Sequence, residues 1–159
     1  MTAYKDYHTN PINKIIHVAC VPLIMSCVLN FFSCFKLQVQ KKNIKNLGSK
    51  IIHGYDEYKY DTLLALLFSF YYLKYHLIEW GSMSIFIYFI YKLSQIWRNN
   101  DTKWLSRSVI LFSAAWLLQF FGHYIEGNRP AFFTSLQMSI FEAPLHTLKY
   151  IYPFSELDV

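Results

Sequence analysis

The run from His17 to Phe35 carries no charged residue and matches the length of about 20 residues that a helix needs to cross a bilayer. A segment of that kind reads as transmembrane, and the rest of the chain has to fold around it. Asn10 is placed to cap its start. Pro11 then takes the first helical position, where the N–H it lacks would have no partner anyway. His17 is thereby set about two turns inside the helix, and His8 lies just before the cap. The N-terminus stays polar up to His17, and the apolar run has no Ala-x-Ala-type exit. The helix is therefore expected to remain in the mature protein rather than leave with a signal peptide.

A chain of 159 residues is most simply one domain. Only 16% of it is charged, against roughly 25% in soluble domains, while 54% is hydrophobic. That leaves too little polar surface to cover a water-soluble fold. The net charge of +5 then points to anionic lipid headgroups or an acidic substrate before nucleic acid, for which no aromatic-basic motif is present.

Four further apolar stretches follow. Thr62 to Ile78 and Ser82 to Trp97 are separated only by Glu79, Trp80 and Gly81, which predicts a tight helical hairpin, spanning or re-entrant. Trp104 to Ile125 is long enough to span, and Ala131 to Tyr150 predicts a last helix holding Glu142, Pro144 and His146. Residues 36–61 read as a polar insertion rich in Lys and Asn, and strand-period alternation is absent throughout. The expected fold is all-α: a multi-pass integral membrane helical bundle of about four to five apolar helices in a single domain spanning residues 1–159. Cys20, Cys27 and Cys34 recur every seventh residue on one stripe of the first helix, where they cannot pair with one another.

If each stretch crosses once, the N-terminal segment, the Gly81 turn and the Glu126 to Pro130 loop share one membrane face. That face holds Lys5, Lys14 and Arg129, whereas eleven basic residues, Lys149 among them, fall on the other. The positive-inside rule makes the crowded face cytosolic and sets the histidine face toward a lumen.

Polar groups gather abruptly on that histidine face. Gln119, His123 and Glu126 fall at i, i+4 and i+7 on one helical side, and Gly122 beside His123 permits close approach of another helix or a ligand. With His8 and His17 they supply three imidazoles and a carboxylate. That donor set suits iron, zinc or copper, and an open facial arrangement of such ligands is the usual one for non-haem Fe(II) enzymes that use O₂. Interfacial hydrogen bonding of lone histidines near helix ends is the alternative. Glu142 and His146, at i and i+4, read as a ligand pair or as a contact that satisfies two buried groups.

Two blocks carry a resemblance. Tyr7-His8-x-Asn10-Pro11-x-Asn13-x-x-Ile16-His17 followed by Val21-Pro22, and Trp116-x-x-Gln119-Phe120-x-Gly122-His123 leading to Glu126 and Arg129-Pro130-Ala131, resemble the signature blocks of the fungal 2-hydroxy fatty acid dioxygenase family. Its members are small multi-pass endoplasmic-reticulum proteins. The resemblance implies Fe(II)-dependent, O₂-using removal of one carbon from a long-chain 2-hydroxy fatty acid, a step in phytosphingosine breakdown. It also implies His8, His17 and His123 as iron ligands, with Asn13, Gln119 and Glu126 as catalytic polar neighbours. Arg129 is placed to pair with the substrate carboxylate. The acyl tail would lie along the aromatic-rich helices within membrane lipid. A di-iron desaturase needs clustered histidines in greater number than the six present. A non-enzymatic lipid-binding or scaffolding protein fits the hydropathy equally well and predicts no metal.

Overall fold

The computed structural model describes residues 10–40, 55–127 and 138–152. Their elements run in the order α1 (Pro11–Phe32), β1 (Lys36–Gln40), β2 (Tyr55–Lys59), α2 (Tyr60–Tyr71), a 3-10 turn (Tyr72–Lys74), α3 (Leu77–Asn100), α4 (Trp104–Glu126), a π-helical turn (Met138–Glu142) and α5 (Ala143–Ile151).

The α1 helix starts as its sequence dictates. The Asn10 side chain accepts the Ile12 N–H at 2.9 Å, and Pro11 opens the first turn. It stops where the Ser33 hydroxyl turns back onto the Asn30 carbonyl at 2.6 Å while the Ser33 N–H bonds the Leu29 carbonyl. The α4 helix ends at Gly127, whose φ of +76° is a left-handed cap that any Cβ would strain.

These two helices, of 22 and 23 residues, are long and apolar enough to cross a membrane. At 1.5 Å per residue each is about 33–35 Å long. Each presents large apolar side chains outward: Ile15 is 69% exposed on α1, and Ile110 is 65% and Leu117 68% exposed on α4. Continuous apolar surface of that extent is not what water-soluble monomers display.

The pairing of α1 with α4 is antiparallel, because its contacts run in opposite order along the two chains. Asn13 meets Glu126, His17 meets His123, Asn30 meets Ser108 and Phe31 meets Phe112. The α2 and α3 helices fill the remaining side. Tyr72, Met83, Ile87 and Leu145 form the buried core that joins the 3-10 turn, α3 and α5.

Three expectations are corrected. The break between the second and third apolar stretches falls at Tyr75 and His76, while Glu79, Trp80 and Gly81 lie inside α3. The chain turns where the Tyr75 N–H closes onto the Tyr72 carbonyl and the Tyr72 hydroxyl donates to the Phe141 carbonyl at 2.6 Å. Gly81 carries no constraint, since a Cβ there would meet nothing within 4 Å. Glu79 instead sits in the first turn of α3, where the helix dipole favours an anion, and binds Lys149.

Residues 36–61 are not wholly an unpaired insertion. β1 and β2 pair antiparallel with Lys36 opposite Lys59 and Gln40 opposite Tyr55, so the fold is helical with one small hairpin ladder. This pairing joins segments on either side of residues 41–54, and neither is long enough to announce a strand by period alone.

Of the last apolar stretch, the described part begins with the π-helical turn and passes into α5, with Pro144 in the first turn, where the missing N–H costs nothing, while residues 131–137 lie outside the described residues. Lys149 reaches Glu79, and the Tyr150 ring lies 5.4 Å below the Lys14 ammonium. Lys149 therefore belongs to the end of the bundle that holds Lys14, opposite to where single crossings would put it.

At the other end, the turn between α3 and α4 is fixed by Asp101. It accepts the Lys103 N–H at 2.9 Å, the Trp97 indole N–H at 3.1 Å and the Arg107 guanidinium at 2.9 Å. The Lys103 N–H foremost, with the indole and guanidinium, holds this carboxyl below the usual carboxylate range.

Candidate metal and lipid site

The α1 and α4 helices meet closely enough to form a site because Gly122 has no side chain. A Cβ built there would stand 2.4 Å from Asn13 Oδ1 and 3.2 Å from Ile16 Cδ1. Into that approach α1 sends Asn13 and His17, and α4 sends Gln119 and His123, all four buried. Gly122→Ala should therefore push the helices apart and cost about 1–3 kcal/mol, the usual range for overpacking. A lowered unfolding temperature in detergent would check this, and an unchanged one would mean that Asn13 moves aside freely.

The Nε2 atoms of His17 and His123 lie 3.3 Å apart, with the rings edge to face at 83°. Two nitrogens bound to one metal at about 2.1 Å are separated by about 3.0–3.4 Å for right-angled to tetrahedral geometry. The spacing is thus met both by a hydrogen bond between the two rings, when one Nε2 carries the proton, and by two donors on one metal ion. Among the described residues no three His, Cys, Asp or Glu side chains converge. His8, the third imidazole expected, lies outside the described residues, as do Arg129 and His53.

Glu126 links the two helices. One carboxylate oxygen accepts the Asn10 backbone N–H at 2.9 Å, and the other accepts the Asn13 side-chain amide. A carboxylate at the N-terminus of α1 is favoured by the helix dipole and by the orphaned donors there. The end of α4 is thereby tied to the start of α1, one turn from the imidazole pair. Of the three polar neighbours, Gln119 is the one that faces the cavity beside the imidazoles. Glu142 takes the Tyr75 hydroxyl at 2.7 Å, which places it with the α2–α3 turn rather than with His17 and His123.

The cavity, of about 390 Å³, runs along the α1–α4 seam and is also lined by Leu64, Ala65 and Phe68 of α2, by Ile87 of α3, and by Ile140 and Pro144. On α1 its lining repeats at His17, Val21, Ile24, Val28 and Phe32, one helical face. On α4 the Phe112, Trp116 and Phe120 rings follow each other at 6.2 and 5.7 Å between centroids. The result is an apolar slot of the size of ligand-binding cavities, about 300–1,000 Å³, with its imidazoles and Gln119 at one end.

A second polar group, absent from the motif, closes the bundle at the far end of the slot. Arg98 pairs with Asp61 at 2.5 Å and with Asn30 Oδ1 at 2.9 Å, and the Asn30 amide donates to the Ser108 hydroxyl at 3.0 Å. Each of the four helices α1 to α4 contributes one of these residues. Asn30 and Ser108, polar residues within apolar stretches, were the signal available for it.

Comparison with known proteins defines the class. The family model described as 2-hydroxy-palmitic acid dioxygenase Mpo1-like matches residues 1–153, and the chain belongs to that family. Over 145 residues it is 30% identical to the 2-hydroxy-palmitic acid dioxygenase MPO1 of Saccharomyces cerevisiae, covering 89% of this chain and 71% of the yeast protein. The family resembled by the two sequence blocks is therefore the one to which the chain belongs. No solved structure matches the chain.

Proposed function

We propose that the chain is an Fe(II)-dependent dioxygenase that removes one carbon from long-chain 2-hydroxy fatty acids, as in phytosphingosine breakdown. In this reading it is a single multi-pass domain of the endoplasmic-reticulum membrane. The observation that carries the reading is the pair of imidazole nitrogens 3.3 Å apart at the polar end of an apolar slot. The chain's family membership and its yeast relative support it.

His17 and His123, whose Nε2 atoms face each other, would hold the iron, with His8 as the third donor of the proposal. When bound, Fe(II) supplies the one-electron chemistry that lets O₂ react with a closed-shell acid. Because the three donors are neutral, the site keeps a positive charge that draws the substrate carboxylate, and Arg129 adds a bidentate partner for it. Gln119 offers an amide to the 2-hydroxyl. The Asn13–Glu126 link fixes the spacing of α1 and α4, and so of the imidazoles. The slot takes the acyl tail and keeps water from the reacting end. One 2-hydroxy acid and one O₂ balance to the acid one carbon shorter, CO₂ and water, so no outside reductant is needed.

Lipid contact on α2 and α3 completes the multi-pass reading: Leu66, Phe70, Ile85 and Phe89 point out of the bundle, as the apolar faces of α1 and α4 do. Purified protein loaded anaerobically with Fe(II), then given O₂ and 2-hydroxyhexadecanoic acid, should yield pentadecanoic acid by mass analysis. Unchanged substrate from a folded, iron-loaded sample would overturn the reading, and stable lipid binding without turnover would favour a carrier.

A further inference from the structure

The lining of the slot ends at two aromatic rings, and their position bears on how long an acyl chain it can take. Counting from the imidazoles, the last lining residues are Phe32 on α1 and Phe112 on α4. They lie 15 and 11 residues along their helices from His17 and His123, which corresponds to a depth of about 16–22 Å. That depth suits a long-chain acyl group and leaves little room for a very long one. Phe112 is held in place from two sides, edge to face against Phe31 at 5.5 Å and against Trp116 at 6.2 Å.

Beyond the floor the protein becomes polar. Ser108 lies one turn of α4 further from His123 than Phe112, and its hydroxyl is bonded to Asn30, which also accepts from Arg98, the buried partner of Asp61. A methylene chain pushed past Phe112 would have to break hydrogen bonds of buried polar and charged groups and could replace none of them. An aromatic floor alone can shift by a rotamer; one backed by an ion pair cannot yield so cheaply.

We propose that Phe112 and Phe32, backed by the Asn30–Ser108–Arg98–Asp61 network, act as the chain-length stop of the slot. The inference rests on the reading of the slot as an acyl site. Phe112→Ala deepens the slot by an aromatic ring. Val28→Phe, on the lining face one turn above Phe32, raises the floor without touching the polar network.

The test needs no turnover. The full chain in detergent is incubated with an equimolar mixture of 2-hydroxy acids of twelve, fourteen, sixteen, eighteen and twenty carbons, and bound lipid is read by native mass spectrometry. The wild type should show a break, with occupancy falling by about tenfold or more across the step where methylenes no longer fit. Phe112→Ala should move that break to longer chains and Val28→Phe to shorter ones, both variants keeping the shortest acids that the wild type holds. A wild-type profile with no break, or a break that neither variant moves, would show that the tail leaves sideways into lipid and would overturn the stop. If the wild type takes up none of the acids, the acyl-site reading falls and the stop with it.

Discussion

His123→Ala is expected to abolish turnover and to lower iron content by more than a hundredfold, and His17→Ala to do the same. Residues that only orient a metal ligand typically cost about 10–100-fold in affinity when removed. Loss of a donor from a site with few protein donors should exceed that. The two imidazoles are buried, at 5% and 4% exposure, and sit together at the end of the slot, and among the described residues no third His, Cys, Asp or Glu joins them. Either variant leaves the Asn13–Glu126 link and the Gly122 contact in place, and the unfolding temperature should change far less than iron content does. His146→Ala, in α5 and outside the cavity lining, should keep both iron and activity. Metal analysis of the three variants beside the wild type decides. Equal loss in His146→Ala and His123→Ala at normal expression would mean that the ligand set is wrongly chosen.

What the sequence revealed of this site was local in kind. Asn10 and Pro11 announced the start of α1 because capping depends on adjacent residues. Gln119 and His123 share a helical face because four residues make about one turn. Gly122 could be read as a point of close approach, and Asn13 is the side chain that fills it.

The features that stayed hidden depend on partners far along the chain. Glu126 reads from the sequence as a polar neighbour of His123, and the partners of its carboxylate, Asn10 and Asn13, lie over a hundred residues away. The turn at Tyr75 is set by the hold of Tyr72 on Phe141, 69 residues on, while the glycine at position 81 drew attention without being needed. The β1–β2 ladder and the placement of Lys149 beside Glu79 are equally non-local. Arg98 and Asp61 stand each at the edge of a polar link, and only their pairing, 37 residues apart, places both inside the bundle.

Arg98→Met should be among the most destabilising single substitutions in the protein, by about 3–5 kcal/mol, the usual cost of stranding one member of a buried ion pair. Asp61 is fully buried, and its remaining contacts in the first turn of α2 are the Thr62 N–H at 2.7 Å and the Thr62 hydroxyl. Those donors satisfy one oxygen and leave the charge uncompensated. Adding Asp61→Asn removes the charge while an amide oxygen keeps the Thr62 N–H, so the double variant should recover more than half of the loss. The intact pair is a poor source of stability in itself, because both groups must first be desolvated. Its consequence lies in selection among packings: Arg98 reaches α1 through Asn30 and α2 through Asp61, and a register shift in any of these helices would strand a charge. Thermal unfolding of both variants in detergent separates the explanations. If single and double variants melt alike, the loss comes from the packing of the arginine stem, and the network has no part in fixing how the helices meet.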